Sequence, residues 1–231
     1  MKILALITAR GGSKGLLGKN ISMLGGKPLI VWSIDVVKDI PEICDILLST
    51  DDTEIAAVGG AAGAFVPWLR PDELATDTAS PVDAALHALD WYEAARGQVD
   101  GVVLLQPTSP LRTRQTVLKG IELFGANNRQ CVLGVSPISV HPMWTLKIEG
   151  NHLVPFMKEH GLEGRSQDLP LAVVVDGSFY LISPEELRDR QSFIGVKTVP
   201  LLIESPQEAL DIDTPWDFKI AELIVEAMHA C

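Results

Sequence analysis

Cysteine is scarce: Cys44, Cys131 and Cys231 are the only three in 231 residues, and no two share a C-x-x-C spacing. So sparse and odd a set excludes a disulfide scaffold and a thiolate metal site, and predicts reduced thiols in a cytoplasmic protein. Cys44 and Cys131 adjoin apolar runs, which predicts core packing for both. Positive charge is also short, with 19 Lys and Arg against 30 Asp and Glu and a net charge of −11. A nucleic-acid binder carries a basic field, so no nucleic-acid partner is expected. No apolar stretch reaches the roughly 20 residues of a membrane span. The first apolar run leads into Thr8-Ala9-Arg10 and glycines rather than a cleavage site, so neither a signal peptide nor a membrane partner is expected. What is plentiful is apolar content, at 47%. That is enough for one core, and residues 1–231 read as a single domain.

The most telling segment is Ala9-Arg10-Gly11-Gly12-Ser13-Lys14-Gly15-Leu16-Leu17-Gly18-Lys19-Asn20, directly after the buried-strand run Ile3–Ile7. Open α/β sheets bind ligands at the C-terminal ends of their strands. Glycines there let main-chain N–H groups approach a phosphate, and Arg10, Lys14 and Lys19 bring the charge a triphosphate needs. Two common phosphate loops do not fit. The Walker register starts at Ser13 instead of Gly and ends Gly18-Lys19-Asn20, without the hydroxyl that holds magnesium. The dinucleotide pattern G-x-G-x-x-G is absent from the loop.

Apolar runs without clear alternation, at residues 2–8, 46–50, 102–105 and 131–135, are separated by helical stretches beginning near Pro28, Thr53, Pro81 and Thr113. That pattern predicts a mostly parallel sheet covered on both faces. Residues 136–171 break it with Pro, Gly, His and short extended pieces, and read as an inserted arm. Strands resume at 172–175, 179–182 and 196–203, and a helix from Pro215 closes the chain.

Asp211-Ile212-Asp213 precedes that last helix. In an extended segment the two carboxylates project to one side, roughly 7 Å apart at their Cα atoms. Such a pair suits magnesium, which takes one or two carboxylates plus substrate phosphates. Thr214, Pro215 and Asp217 are explained instead as N-cap, first helical residue and capping-box acid, which leaves Asp211 and Asp213 for the metal. Gln106-Pro107-Thr108-Ser109-Pro110-Leu111-Arg112 is a proline-stiffened loop on the same sheet edge as the first loop. Ser80 is expected to cap the helix starting at Pro81. His141, His152 and His160 lack metal-ligand spacing and receive no role.

Arg10-Gly-Gly-Ser-Lys14-Gly followed by Gly18-Lys19-Asn20 resembles the signature of sugar-activating cytidylyltransferases, and most closely the branch that activates nonulosonic acids: sialic, legionaminic and pseudaminic. The run from Asp211 to Asp217 resembles the metal motif of the same family. The resemblance implies a Rossmann-like three-layer α/β nucleotidyltransferase fold with residues 136–171 as a dimerisation arm, hence a homodimer. It implies transfer of CMP from CTP to the anomeric hydroxyl of a 2-keto-3-deoxy sugar acid, with Mg2+ on Asp211 and Asp213. Arg10 and Lys19 join those two aspartates as the catalytic set. Arg10, Gly12, Ser13, Lys14, Lys19 and Asn20 would bind nucleotide, with Arg70, Ala79 and Ser80 bordering its base. Gln106, Trp144, Arg165, Tyr180 and Phe193 would contact the acceptor, although plain core packing accounts equally well for the two last aromatics. Trp144 stands where a lysine is common in the family, and suits an apolar, diacetamido acceptor. Asp176-Gly177 resembles the family's Asn-Gly segment, with Asp for Asn.

Three other readings stay open at this level. One is an octulosonate cytidylyltransferase or another sugar nucleotidyltransferase. Another is an aspartyl-phosphate hydrolase, whose D-x-D-x-[T/V] motif fails here because the Thr comes one residue early. The last is a nucleotide-sensing module without turnover.

Overall fold

The computed structural model describes residues 1–12, 15–16, 18–158 and 165–229. In chain order the elements are β1 (Ile3–Thr8), a short hairpin of β2 (Met23–Leu24) and β3 (Lys27–Pro28), α1 (Leu29–Asp35), β4 (Ile43–Ser49), α2 (Thr53–Ala61), α3 (Pro81–Arg96), β5 (Gly101–Leu104), α4 (Arg114–Ala126) and β6 (Val132–Pro137). A second hairpin, β7 (Leu146–Glu149) and β8 (His152–Pro155), precedes β9 (Val173–Ile182), α5 (Pro184–Arg190), β10 (Val199–Leu202) and α6 (Pro215–His229).

Six strands form the central sheet in the order β10-β6-β9-β5-β1-β4. The pairs β1–β4, β1–β5 and β6–β10 are parallel, and β9 runs antiparallel to both its neighbours. The alternation along β1 explains the layering. Ile3, Ala5 and Ile7 enter the core packed against α1, α2 and α4, while Leu4 and Leu6 enter the one packed against α3 and α5. All five are fully buried, each such side chain stabilising by roughly 1.5–3 kcal/mol when large. The result is the expected three-layer α/β architecture. A third, smaller cluster seats α6 through Ala221 and Val225 against Leu24, Leu29, Leu111 and Ile212.

Helix ends follow the residues that cap them. Asp52 accepts from Glu54 and Ile55 N–H groups to start α2, Ser80 accepts from Val82 to start α3, and Thr113 accepts from Thr116 to start α4. Thr214 and Asp217 form the reciprocal capping box at α6, with Thr214 N–H donating to Asp217 at 2.7 Å and Asp217 N–H donating to Thr214 at 3.2 Å.

Several local expectations are revised. Pro28 lies in β3, just before α1 rather than inside it, and α1 is short, ending at Asp35. The chain turns there through Asp39 at φ 56°, and Pro41 disfavours helix at Ile40. Cys131 is buried, but Cys44 is exposed, because it opens the outer strand β4. The two strands expected at 172–175 and 179–182 are one strand, β9, interrupted by a bulge: Leu133 pairs with Tyr180 and Val135 with Val175, so residues 176–179 all face Gly134.

Candidate active site

The ends of β1 and β5 open onto one cavity of about 540 Å³, within the range typical of small-ligand sites. Its walls come from distant parts of the chain. Arg10, Gly15, Lys19 and Asn20 line one side, Arg70, Ala79 and Ser80 a second, Gln106 and Thr108 a third, and Asp213 closes it.

The two ends of the sequence meet here. Lys19 is 8% exposed; its Nζ donates to the Ile212 carbonyl at 2.7 Å and reaches Asp213 Oδ1 at 3.4 Å. A Cβ at Gly15 would run into the Asp213 carbonyl, so this approach needs glycine. Ile212 is fully buried, and its N–H donates to the Thr108 carbonyl at 2.8 Å. That anchor turns Asp213 outward, with 74% of its side chain exposed. Asp211 sits deeper, with Oδ1 buried and unpartnered among the described residues. Burial pushes the Asp211 carboxyl up. A hydrogen bond from Thr108 and the Lys19 charge pull it down, while Asp213 and Asp217 push it further up.

The cations on the opposite wall are held as firmly. Asn20 Nδ2 donates to the Arg10 carbonyl at 3.0 Å, and Arg10 Nη1 pairs with Asp77 at 2.8 Å. Arg70 is 6% exposed. It donates through Nε to Ser49 Oγ at 2.9 Å and through Nη2 to the Ser49 carbonyl. Burial pulls its guanidinium down, Asp51 raises it and Arg10 lowers it. The Gly11 N–H donates to Asp51 at 3.1 Å, so the loop after β1 leans on the loop after β4.

A family model described as cytidylyltransferase matches residues 4–139, more than half of the chain. The chain belongs to the cytidylyltransferase family. It is 39% identical over 230 residues to the CMP-N,N'-diacetyllegionaminic acid synthase of Legionella pneumophila, covering 98% of this chain and 97% of that protein. It is 30% identical over 229 residues to the pseudaminic acid cytidylyltransferase of Campylobacter jejuni, covering 99% and 98%. The solved structure of a CMP:2-keto-3-deoxy-manno-octonic acid synthetase complexed with CTP matches with a TM-score of 0.71 over 98% of this chain and 100% of that one, at 16% identity, a likeness of fold alone.

This cytidylyltransferase is thus a nucleotidyltransferase, and its cavity gathers half of the residues singled out from sequence: Arg10, Lys19, Asn20, Arg70, Ala79, Ser80, Gln106 and Asp213, with Asp211 hydrogen-bonded to Thr108 of the same wall. Gly12 is exposed on the same loop, and Ser13 and Lys14 lie outside the described residues. Trp144, Arg165, Tyr180 and Phe193 do not line the cavity. Trp144 stands edge-on to His141 at 6.3 Å, and Arg165 pairs with Asp168 at 2.9 Å, both within residues 136–171. Phe193 is buried in the α3-side core, where Tyr180 meets its ring at 5.7 Å. Burial raises the Tyr180 hydroxyl, and Asp211 and Asp176 raise it further.

Among the described residues no three His, Cys, Asp or Glu side chains form a metal cluster. The pair Asp211 and Asp213 still fits a divalent cation, because Asp211 Oδ1 is a buried acceptor without a donor and the remaining positions of such an ion are commonly filled by phosphate and water. Sequence reading missed Asp77, the partner of Arg10, and gave Arg112 no role. Arg112 carried one faint signal, a cation directly after the apolar Pro110-Leu111 pair at the ligand edge of the sheet.

Proposed function

We propose that this enzyme transfers CMP from CTP to the anomeric hydroxyl of a nonulosonic acid of the N,N'-diacetyllegionaminic type, releasing pyrophosphate. The observation that carries this reading is the meeting of the glycine-and-cation loop with the Asp211–Asp213 segment across one cavity, through Lys19 and the Ile212 carbonyl. Relatedness along nearly the whole length to a diacetyllegionaminic acid synthase favours the acceptor type.

The attacking anomeric oxygen forms a bond to the α-phosphorus, and the bond from that phosphorus to the bridging oxygen of pyrophosphate breaks. Such chemistry is mostly positioning and charge neutralisation. Arg10 and Lys19, joined by Ser13 and Lys14, hold the triphosphate. Lys19 acts from a largely buried position, where its charge is weakly screened. Asn20 fixes the loop through the Arg10 carbonyl. Arg70 and the main chain at Ala79 and Ser80 border the cytosine, and Gln106 addresses the acceptor. Asp211 and Asp213 hold Mg2+, which when bound supplies Lewis-acid polarisation of the phosphate.

The arm supports a homodimer. Ile148 is 76% exposed, Leu153 66%, Phe156 66% and Leu171 90%, an apolar surface of the kind that marks a protein contact. In the dimer Trp144 and Arg165 approach the acceptor of the partner subunit. A cytoplasmic location accords with the chemistry; no helix among the described residues is long and apolar enough to cross a membrane.

The test is pyrophosphate release from CTP and Mg2+ with sialic, legionaminic, pseudaminic and octulosonic acids. The highest kcat/KM is expected with N,N'-diacetyllegionaminic acid, and preference for the octulosonic acid would overturn the acceptor reading. Lys19→Ala and Asp211→Ala are each expected to lower kcat by about 100-fold or more. An undiminished Asp211→Ala rate would remove the metal assignment.

A further inference from the structure

Arg112 stands two residues before α4, yet it is only 4% exposed. Its guanidinium donates to three separate parts of the chain: Nε to the Ser178 carbonyl at 2.6 Å, Nη2 to the Gln106 carbonyl at 2.7 Å, and Nη1 to Ser33 Oγ on α1 at 3.0 Å. Burial pulls the group down to about 10, with Asp176 and Asp211 opposing, so it remains a cation at neutral pH. A buried charge satisfied by carbonyls is expensive compared with a core hydrophobe of similar size. Its use at this place therefore calls for a role beyond filling space.

That role is legible in what the three bonds join. Ser178 lies in the β9 bulge opposite Gly134, and bulges beside active sites re-aim the chain. Asp176 Oδ1 closes the bulge on itself, accepting from Ser178 N–H at 2.9 Å and from Ser178 Oγ at 2.6 Å. Gly177 sits at its tip with φ +79°. The position of a Cβ there lies 2.9 Å from Gln106 Oε1, 3.4 Å from Ser109 Oγ and 3.8 Å from Asp211 Cγ. Ser109 Oγ, Asp176 Oδ2 and Asp211 Oδ1 are buried and without hydrogen-bond partners among the described residues. Polar side chains from three segments therefore gather around Gly177, and Arg112 is bonded to the main chain on both sides of that point.

We propose that Arg112 is a positioning residue for the acceptor: it locks the Gln106 turn to the Gly177 bulge, so that the Gln106 amide addresses the sugar acid at a fixed distance from the Asp211 carboxylate. The inference rests on the proposed function for the identity of the ligand at this end. The planar guanidinium spans three acceptors in a way that a lysine cannot, although lysine keeps the charge. Arg112→Lys therefore separates geometry from electrostatics.

In the full-length protein, Arg112→Lys is expected to keep the affinity for CTP, measured by calorimetry without acceptor, within about threefold of wild type. Its kcat/KM for the acceptor is expected to fall by about 100-fold, the scale of an ångström-level misplacement. Amide exchange should rise at residues 106–109 and 176–179 and stay unchanged in β1 and α3. Ser33→Ala leaves Arg112 in place but removes one of its acceptors and the donation from Ser33 Oγ to the Gln106 carbonyl at 3.4 Å; it tests the same Gln106 anchor if Arg112→Lys does not fold, and is expected to weaken acceptor kcat/KM by about threefold with CTP affinity unchanged. Equal losses toward CTP and acceptor, exchange rising throughout the sheet, or no acceptor defect in either variant would overturn the inference. Wild-type turnover separates the two failures. A wild type inactive on every sugar acid removes the proposed function and leaves the exchange pattern to judge Arg112. An active wild type with unaffected variants removes only the role of Arg112.

Discussion

β1 and β9 stand two places apart in one sheet, and both are rich in branched apolar residues. Along β1 every side chain from Ile3 to Ile7 is fully buried, alternately in the two cores. Along β9 only the C-terminal half behaves that way: Phe179, Leu181 and Ile182 are buried, whereas Val173, Val174 and Val175 are 40–49% exposed. The difference is one of neighbours. β5 pairs only with Tyr180–Ile182, so the first half of β9 runs past it, held by β6 alone. Residue type makes both segments strands; coverage decides whether they form core or surface. The change falls at the Asp176–Phe179 bulge, beside the candidate active site.

The contrast is broken most forcefully inside β1. Leu6 is fully buried, and Leu6→Ala is expected to cost about 2–5 kcal/mol in urea unfolding, from lost transfer energy plus the cavity left behind. Val174→Ala, in the exposed half of β9, is expected to cost under about 0.5 kcal/mol at protein concentrations low enough to keep the chain monomeric. Equal losses at the two sites would show that the exposed half is covered within the same chain.

The proposed arm sharpens the comparison. With Ile148 and Leu153 both changed to Ser, the proposed dimer is expected to dissociate in analytical ultracentrifugation, while the unfolding free energy of the isolated chain moves by less than about 0.5 kcal/mol. The apparent melting temperature of wild type should rise with concentration and that of the double variant should not. A double variant that stays dimeric would place the contact elsewhere.

How much of this was legible follows the same division. The layered sheet could be read because its strands are continuous apolar runs between capped helices, and Ser80, Thr214 and Asp217 cap where they were expected to. The cavity was legible from both ends of the chain, since glycines and cations after a buried strand, and paired acids before a helix, each point to a phosphate ligand. The unity of β9 was not. Asp176-Gly177-Ser178 looks like a break between two strands, and becomes a bulge only because Gly134 lies opposite. α5 was missed because it has seven residues, and Leu187 is its only fully buried aliphatic side chain. The role of Arg112 was hidden for a different reason: two of its three partners are main-chain carbonyls, which leave no mark on residue identity.

The smallest expected effect concerns the other end of β1, away from the cavity. Asp100 accepts from the Lys2 N–H at 2.7 Å and pairs with Arg129 at 2.8 Å. The Lys2 hydrogen bond holds the Asp100 carboxyl below its usual range against a small burial penalty, with Arg129 and the chain terminus assisting. A carboxylate depressed in the folded state adds stability above its unfolded value of about 3.9, and that stability is lost as pH falls through the folded value. The side chain is 29% exposed, so solvent screening keeps the contribution under about 0.5 kcal/mol. Asp100→Asn is therefore expected to lower the unfolding free energy slightly at pH 7, and the difference from wild type should vanish once pH falls below the depressed folded value of Asp100, where both residues are neutral. A deficit that persists in acid would mean that Asp100 holds the start of β1 by its shape and not by its charge.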